Sequence, residues 1–255
     1  MEFRRWVNPG NLPPMVGKLV RALVLFAMFM ALTETRFWGI LEFRGFDALT
    51  YVTAPGESKL PIVIVGIDDS SVAELNERWP WPRRLHAKLI DQLHAAGAAV
   101  VAFDVVFDSP TTPEDDSALE KSIAQAGNVV LIAASARQNT SQGTIWSRLE
   151  PLPAFVAAGA KVGLAHIEFE PDLVARRFPM AGDAFWKETL FRMRTANPGV
   201  DFDSTLKEER LIRFVGPDHS IPYVSYARVL GRGEPIAPGT FEGALVLVGR
   251  ETQAV

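Results

Sequence analysis

Pro61-Ile62-Val63-Ile64-Val65-Gly66-Ile67-Asp68-Asp69 is an unbroken β-branched run that closes on two acids. A strand with one face in water alternates apolar and polar residues. A continuous run is expected where both faces are buried, as in a parallel sheet covered by helices. Working outward, Pro82 suits a first helical turn, Leu85, Leu89, Leu93 and Ala96 recur at helical spacing, and Gly97 supplies a stop. Ala98 to Phe107 reads as a second buried strand closed by Asp108-Ser109-Pro110, and a second helix carrying Leu119, Ile123 and Ala126 ends at Gly127. Val129 to Ala133 is the third strand. Strand, helix, strand, helix, strand at this spacing predicts two consecutive right-handed crossovers. The expected fold class is α/β, with three layers and a mostly parallel sheet.

Beyond Ser135 the pattern weakens. Residues 135–150 are polar and read as loop, and residues 181–207 favour no element. Val162–Phe169 and Arg210–Val215 are expected as strands, Val224–Leu230 as a short helix, and Ala244–Val248 as a last buried strand. That strand runs out seven residues before the last residue, with no closing helix, so the domain is expected to be incomplete at its C-terminus.

Upstream, Lys18 and Arg21 precede eleven consecutive apolar residues, Ala22 to Leu32. Three structures fit such a run. A cleaved signal peptide fits the basic flank, but Ala31-Leu32-Thr33 is a poor small-x-small cleavage site. A buried helix of a soluble protein is a second option, because eleven residues fall short of a span. A signal anchor over 16–38 is preferred, with Lys18 and Arg21 snorkelling to one interface and Trp38 at the other. The excess of basic residues then places 1–15 in the cytoplasm and everything after the span outside. The resulting domains are the anchor at 16–38, a juxtamembrane helix over 39–60, and an extracytoplasmic domain over 61–255. The expected location is the inner membrane, with the domain on the periplasmic side.

The charge supports this division. The chain of 255 residues carries −4, yet residues 1–36 carry +3 from five basic and two acidic side chains, which leaves −7 on the body. An acidic body argues against nucleic acid as its partner, since binding a phosphate backbone needs clustered Lys and Arg. With no cysteine, disulfides and cysteine-based metal sites are excluded. The 48% apolar content is ample for a packed core.

Asp68, Asp69, Asp104, Asp108 and the pair Asp115-Asp116 all fall at or just after predicted strand ends, where ligands of open α/β sheets bind. Such acids cap helices and start turns, hold the amine or hydroxyls of a solute, or hold Mg²⁺. Trp79-Pro80-Trp81-Pro82-Arg83-Arg84 is the least ordinary stretch: a rigid aromatic platform beside a helix start, or an aromatic plug on the sheet. One of the two tryptophans is expected to be structural and the other functional. His86, His94, His166 and His219 lack metal-ligand spacing. No P-loop, nucleophile elbow, zinc-protease helix or dinucleotide turn is present, so no residue is expected to be catalytic, and no cofactor or metal is expected. The residues expected to line a ligand site are Asp68, Asp69, Trp79, Arg83, Asp104 and Asp108.

Several of these segments together resemble the CHASE domain of type 2: Ile67-Asp68-Asp69-Ser70-Ser71, Arg78 to Arg83 (RWPWPR), Ala95-Ala96-Gly97-Ala98, and Ala102 to Phe107. The resemblance continues through Gly127-Asn128-Val129-Val130, Val162-Gly163-Leu164, Ser225–Leu230 and Leu245–Gly249, and covers most of residues 40–250. It implies the extracellular input domain of a bacterial receptor. Its output would be a cyclase, a diguanylate cyclase or phosphodiesterase, or a kinase, lying outside this chain. The implied partners are the lipid bilayer, an unidentified small-molecule or protein stimulus, and a second copy of the chain. Where the family tends to an acidic-Gly-x-x-Arg turn, this chain has Asp172-Leu173-Val174-Ala175-Arg176, a turn to be built without glycine. Two rivals remain, a Mg²⁺-dependent hydrolase built on the strand-end aspartates and a dimerisation module anchored by Trp79 and Trp81.

Overall fold

The computed structural model describes residues 14–33, 36–140, 143–178, 182–199 and 211–250. The chain divides into two compact units, Met1–Ala54 and Pro55–Val255. The first holds helices α1 (Pro14–Thr33) and α2 (Arg36–Thr53). Within α1, Met15–Thr33 is long and apolar enough to cross a membrane, and no part of it is buried in protein. Its 19 residues rise ~28 Å, close to the ~30 Å hydrocarbon thickness of a bilayer.

The second unit is a seven-stranded, mostly parallel sheet. Its strands are β1 (Ile62–Ile67), β2 (Val100–Asp104), β3 (Val129–Thr140), β4 (Gly143–Leu149), β5 (Lys161–Ala165), β6 (Tyr223–Ser225) and β7 (Leu245–Arg250). The helices are α3 (Asp69–Leu75), α4 (Arg83–Ala95), α5 (Pro113–Ala126), α6 (Pro153–Ala157), α7 (Phe185–Ala196) and α8 (Tyr226–Val229). The order across the sheet is β6-β1-β7-β2-β3, and β3 pairs in parallel with β5 and antiparallel with β4. The last strand, β7, therefore lies between β1 and β2, and the first crossover spans one strand position.

Alternation along the strands sorts side chains into two cores. Val63, Val65, Ile67, Val101, Phe103, Val246 and Val248 pack with α4, α5 and α8 through Leu89, Ile90, Leu93, Leu119, Ile123 and Tyr226. On the other face Val100, Ala102, Val130 and Leu245 meet Met193 of α7, with Phe185 packed alongside. Gly163 makes this approach possible, because a Cβ there would collide with the backbone of Phe185.

The structure corrects several sequence expectations. Residues 135–150, read as loop, contain the far half of β3 and all of β4, paired from Ala134–Leu149 to Thr140–Gly143. The β4 arm carries no core face, with Ile145 and Trp146 exposed, so it lacks the alternation that marks a strand. The strand expected over Val162–Phe169 runs from Lys161 to Ala165 and then opens into loop. Arg210 lies outside the described residues, and 211–215 form no strand, only a bridge between Leu211 and Arg177. Val224–Leu230 begins in strand β6 before turning into α8. The ambiguous 181–207 segment contains α7, while residues 181 and 200–207 lie outside the described residues.

The turn lacking glycine is built on Leu173 itself, at φ 64°, in the left-handed region. Arg176, almost fully buried, holds the turn through a two-pronged ion pair to Asp172, at 2.8 Å and 2.7 Å. That pairing is the main reason the Asp172 carboxyl titrates at about 2.

Candidate functional site

At the C-terminal edge of the sheet one rung runs Ser225–Gly66–Gly249–Asp104 across β6, β1, β7 and β2. Gly66 is a spatial requirement, because a Cβ there would strike the Tyr223 ring, whereas one on Gly249 would make ordinary contact with the Asp104 Cβ at 3.4 Å.

Asp68 ends β1 as the N-cap of α3, and its Oδ1 accepts the Ser71 amide at 2.7 Å and hydroxyls of Ser71, Ser70 and Ser225 at 2.6, 2.8 and 3.0 Å. Its Oδ2 accepts the Tyr223 hydroxyl at 3.0 Å. Partial burial works to raise this carboxyl, but the bonds from Ser71, Ser70 and Tyr223 outweigh it and hold Asp68 below its ordinary range. The Ser71 hydroxyl also accepts the Ala227 amide at 3.1 Å. Asp68 thereby ties β1, α3, β6 and α8 into one unit at the strand ends.

Asp104 sits differently. It closes β2 on the same face as Gly66 and Gly249, and among the described residues it has neither a hydrogen-bond nor an ion-pair partner. Its carboxylate is exposed toward a crevice, yet the surrounding protein desolvates it enough to push its pKa up. The crevice has a volume of about 350 Å³ and is lined by Ile64, Ala102, Phe185, Tyr223, Leu247 and Val248, by Gly66 and Gly249, and by the charged Asp104, Asp218 and Arg250.

The other candidates lie on the α4 face or at the strand ends away from this crevice. Trp81 is 3% exposed, packs its ring at a tilt against Tyr226 with centroids 4.9 Å apart, and donates its indole N–H to the Glu77 carbonyl at 3.2 Å. Trp79, at 38% exposed, meets the Trp81 ring edge-on at 5.5 Å. Arg83 is buried, pairs with Asp116 at 2.6 Å, donates to the Ser109 carbonyl, and lies over the rings of Phe107 and Phe155. It fastens α4 to the loop after β2 and to the start of α5. Asp69 is exposed in the first turn of α3, and exposed Asp108 accepts the Ser109 hydroxyl at 3.2 Å. Asp115 and Asp116 occupy the first turn of α5, where negative charge favours the helix, behind a Thr112 cap. Of the six candidate site residues, the structure brings Asp68 and Asp104 to one face of the strand ends and leaves Trp79, Arg83 and Asp108 on the α4 side.

His86 is a core histidine. Burial first, and then the Arg83 charge, lowers it to about 4, so it stays neutral and pairs through Nδ1 with the Tyr226 hydroxyl at 2.9 Å. Sequence reasoning missed Tyr223 and Phe185, which line the crevice. Tyr223 belongs to a three-residue strand too short to show a period, and Phe185 to a helix whose buried positions, Thr189 and Met193, do not stand out as an apolar stripe. Among the described residues no three acids or histidines are grouped to hold a metal ion.

The sheet unit has an open crevice at its strand ends, and the N-terminal unit holds a helix fit to cross a membrane. The chain belongs to the CHASE2 family: the CHASE2 domain model matches residues 22–255. CHASE2 is an extracellular sensory domain, typically found in signalling proteins, and its role is sensory rather than catalytic. No curated protein and no solved structure matches the chain.

Proposed function

We propose that this chain is the input portion of a bacterial receptor, anchored by α1 with Lys18 and Arg21 on the cytoplasmic side and the sheet domain in the periplasm. A stimulus binds at the C-terminal edge of the sheet, and a cyclase, diguanylate cyclase or phosphodiesterase, or kinase elsewhere in the receptor reads the result. The observation that carries this reading is Asp104, a partly desolvated carboxylate with no partner among the described residues, facing a crevice of about 350 Å³. An external group in the crevice would supply the partner that no described residue gives this exposed carboxylate. The neighbouring Asp68 network joins the crevice wall at Tyr223 to α3 and α8, so an occupant that moves Tyr223 changes the packing of two helices. Such an occupant shifts the receptor only if it binds one packing better than the other.

The test is the output of the full-length receptor. Asp104→Asn should abolish the response to growth conditions while abundance at the membrane stays unchanged. A receptor lacking residues 55–250 should lose responsiveness altogether. Output indistinguishable from wild type in the deletion would reject the sensor reading.

A further inference from the structure

Beyond Ala134 the sheet loses its third strand. β5 stops at Ala165, opposite Ala134, so the ribbon that β3 and β4 continue from there has two strands. A two-stranded ribbon is marginal in water and needs a further strand or a covering layer. Neither face is covered at β4: the neighbours Ile145 and Trp146 point to opposite faces and are 54% and 65% exposed. We propose that β4 is a pairing edge whose occupant is β4 of a second copy of this chain, joined antiparallel about a two-fold axis.

The edge itself calls for a strand. An antiparallel ladder directs the N–H and C=O groups of every second residue away from its partner. Among the described residues β3 is the only strand beside β4, and no other backbone bond reaches Ile145, Trp146 or Ser147. Natural edges are guarded by charge, proline, a bulge or a very short strand. The stretch from Gly143 to Ser147 holds no charged residue and no proline. Its register with β3 runs one-to-one from Ala134–Leu149 to Thr140–Gly143, without a bulge. Arg148 is committed to its own chain, paired with Asp183 and Glu150. The opposite end of the sheet is guarded, since β6 there is three residues long.

A second copy suits this edge better than a foreign strand. Two identical strands related by a two-fold axis pair antiparallel with one residue opposite itself. Centring on Trp146 overlaps all 7 residues of β4 and sets the two Trp146 side chains beside each other. The ribbon becomes four-stranded, and pairing consumes both edges, so assembly closes at two copies. Copies held in one membrane by α1 also meet at high local concentration, which a free peptide does not.

Self-opposition at Trp146 permits a charge-swap experiment. The whole chain in mild detergent is weighed by native mass spectrometry as wild type, Trp146→Lys, Trp146→Glu and an equal mixture of the two variants. Wild type should be dimeric. Each variant alone sets like charges opposite each other and removes an aromatic anchor, so it should associate at least about tenfold more weakly. The mixture should recover mixed dimers, because Lys then faces Glu. Trp146 is exposed, so both variants should keep the wild-type circular dichroism. Trp79→Ala should remain dimeric. A monomeric wild type would leave the edge to a foreign strand and overturn the proposal. Variants as dimeric as wild type, a mixture no more associated than its components, or loss of the dimer in folded Trp79→Ala would overturn it equally.

Discussion

Replacing Trp81 or Trp79 by alanine should produce very different losses, and the difference can be worked from their surroundings. Trp81 is 3% exposed and touches Tyr226, with ring centroids 4.9 Å apart, and Trp79 at 5.5 Å, with its indole N–H bonded to the Glu77 carbonyl. Truncating a buried Trp to Ala costs about 3–5 kcal/mol. In a domain of this size each kcal/mol lowers the melting temperature by about 2–4 °C, so a fall of roughly 6–20 °C is expected. Trp79 keeps 38% of its surface in water, and its edge-on contact with Trp81 contributes about 0.5–1.5 kcal/mol beyond area burial. Its alanine variant should lose about 1–2 kcal/mol. Urea denaturation of the chain in detergent, followed by tryptophan fluorescence and circular dichroism, measures both. Equal losses, or a larger loss for Trp79, would refute the assignment of Trp81 as the structural member of the pair.

Three further outcomes follow from the same interior. His86 titrates near 6.5 unfolded and about 4 folded, so the unfolded chain takes up its proton first as pH falls. Stability should be full above pH 6.5 and drop by up to about 3 kcal/mol as pH falls to 4; a denaturation series in which His86→Gln keeps that full slope would contradict this. Leu173 holds φ 64° with its side chain 79% exposed, so Leu173→Gly should raise stability by about 0.5–1 kcal/mol in urea titrations, after allowance for glycine's freer unfolded chain; a loss would mean the side chain itself is needed. Arg83→Met should cost about 1.5–3 kcal/mol by removing the charged bonds to Asp116 and the Ser109 carbonyl while Asp116 keeps its Thr111 partners, and a neutral result would show that the aromatic contacts alone fasten α4.

What could be read in the sequence was the half of the sheet whose strands are buried on both faces. Ile62–Ile67, Val100–Asp104 and Leu245–Arg250 announce themselves as apolar runs because packing on both sides demands it. The slot taken by β7 between β1 and β2 could not be read, since adjacency within a sheet leaves no local signature. The outer half of β3, β4 and the three-residue β6 were hidden for other reasons: β4 leaves Ile145 and Trp146 exposed, and β6 is too short to show a period. The strand-end aspartates were visible as a set, but composition could not separate a capping carboxylate such as Asp68 from the partnerless Asp104. That difference depends on Tyr223 and Ser225, 155 and 157 residues away in the chain, joining the neighbouring Ser70 and Ser71 at Asp68.

The orientation of the domain is the claim on which the account rests, and a paired topology reporter tests it most directly. Alkaline phosphatase, active only outside the cytoplasm, and a fluorescent protein that folds only inside are each fused after Val255. With Lys18 and Arg21 at the start of the α1 span and no other helix among the described residues fit to cross, phosphatase activity without fluorescence is predicted. Fluorescence without phosphatase activity would put the sheet and its crevice in the cytoplasm and contradict the account.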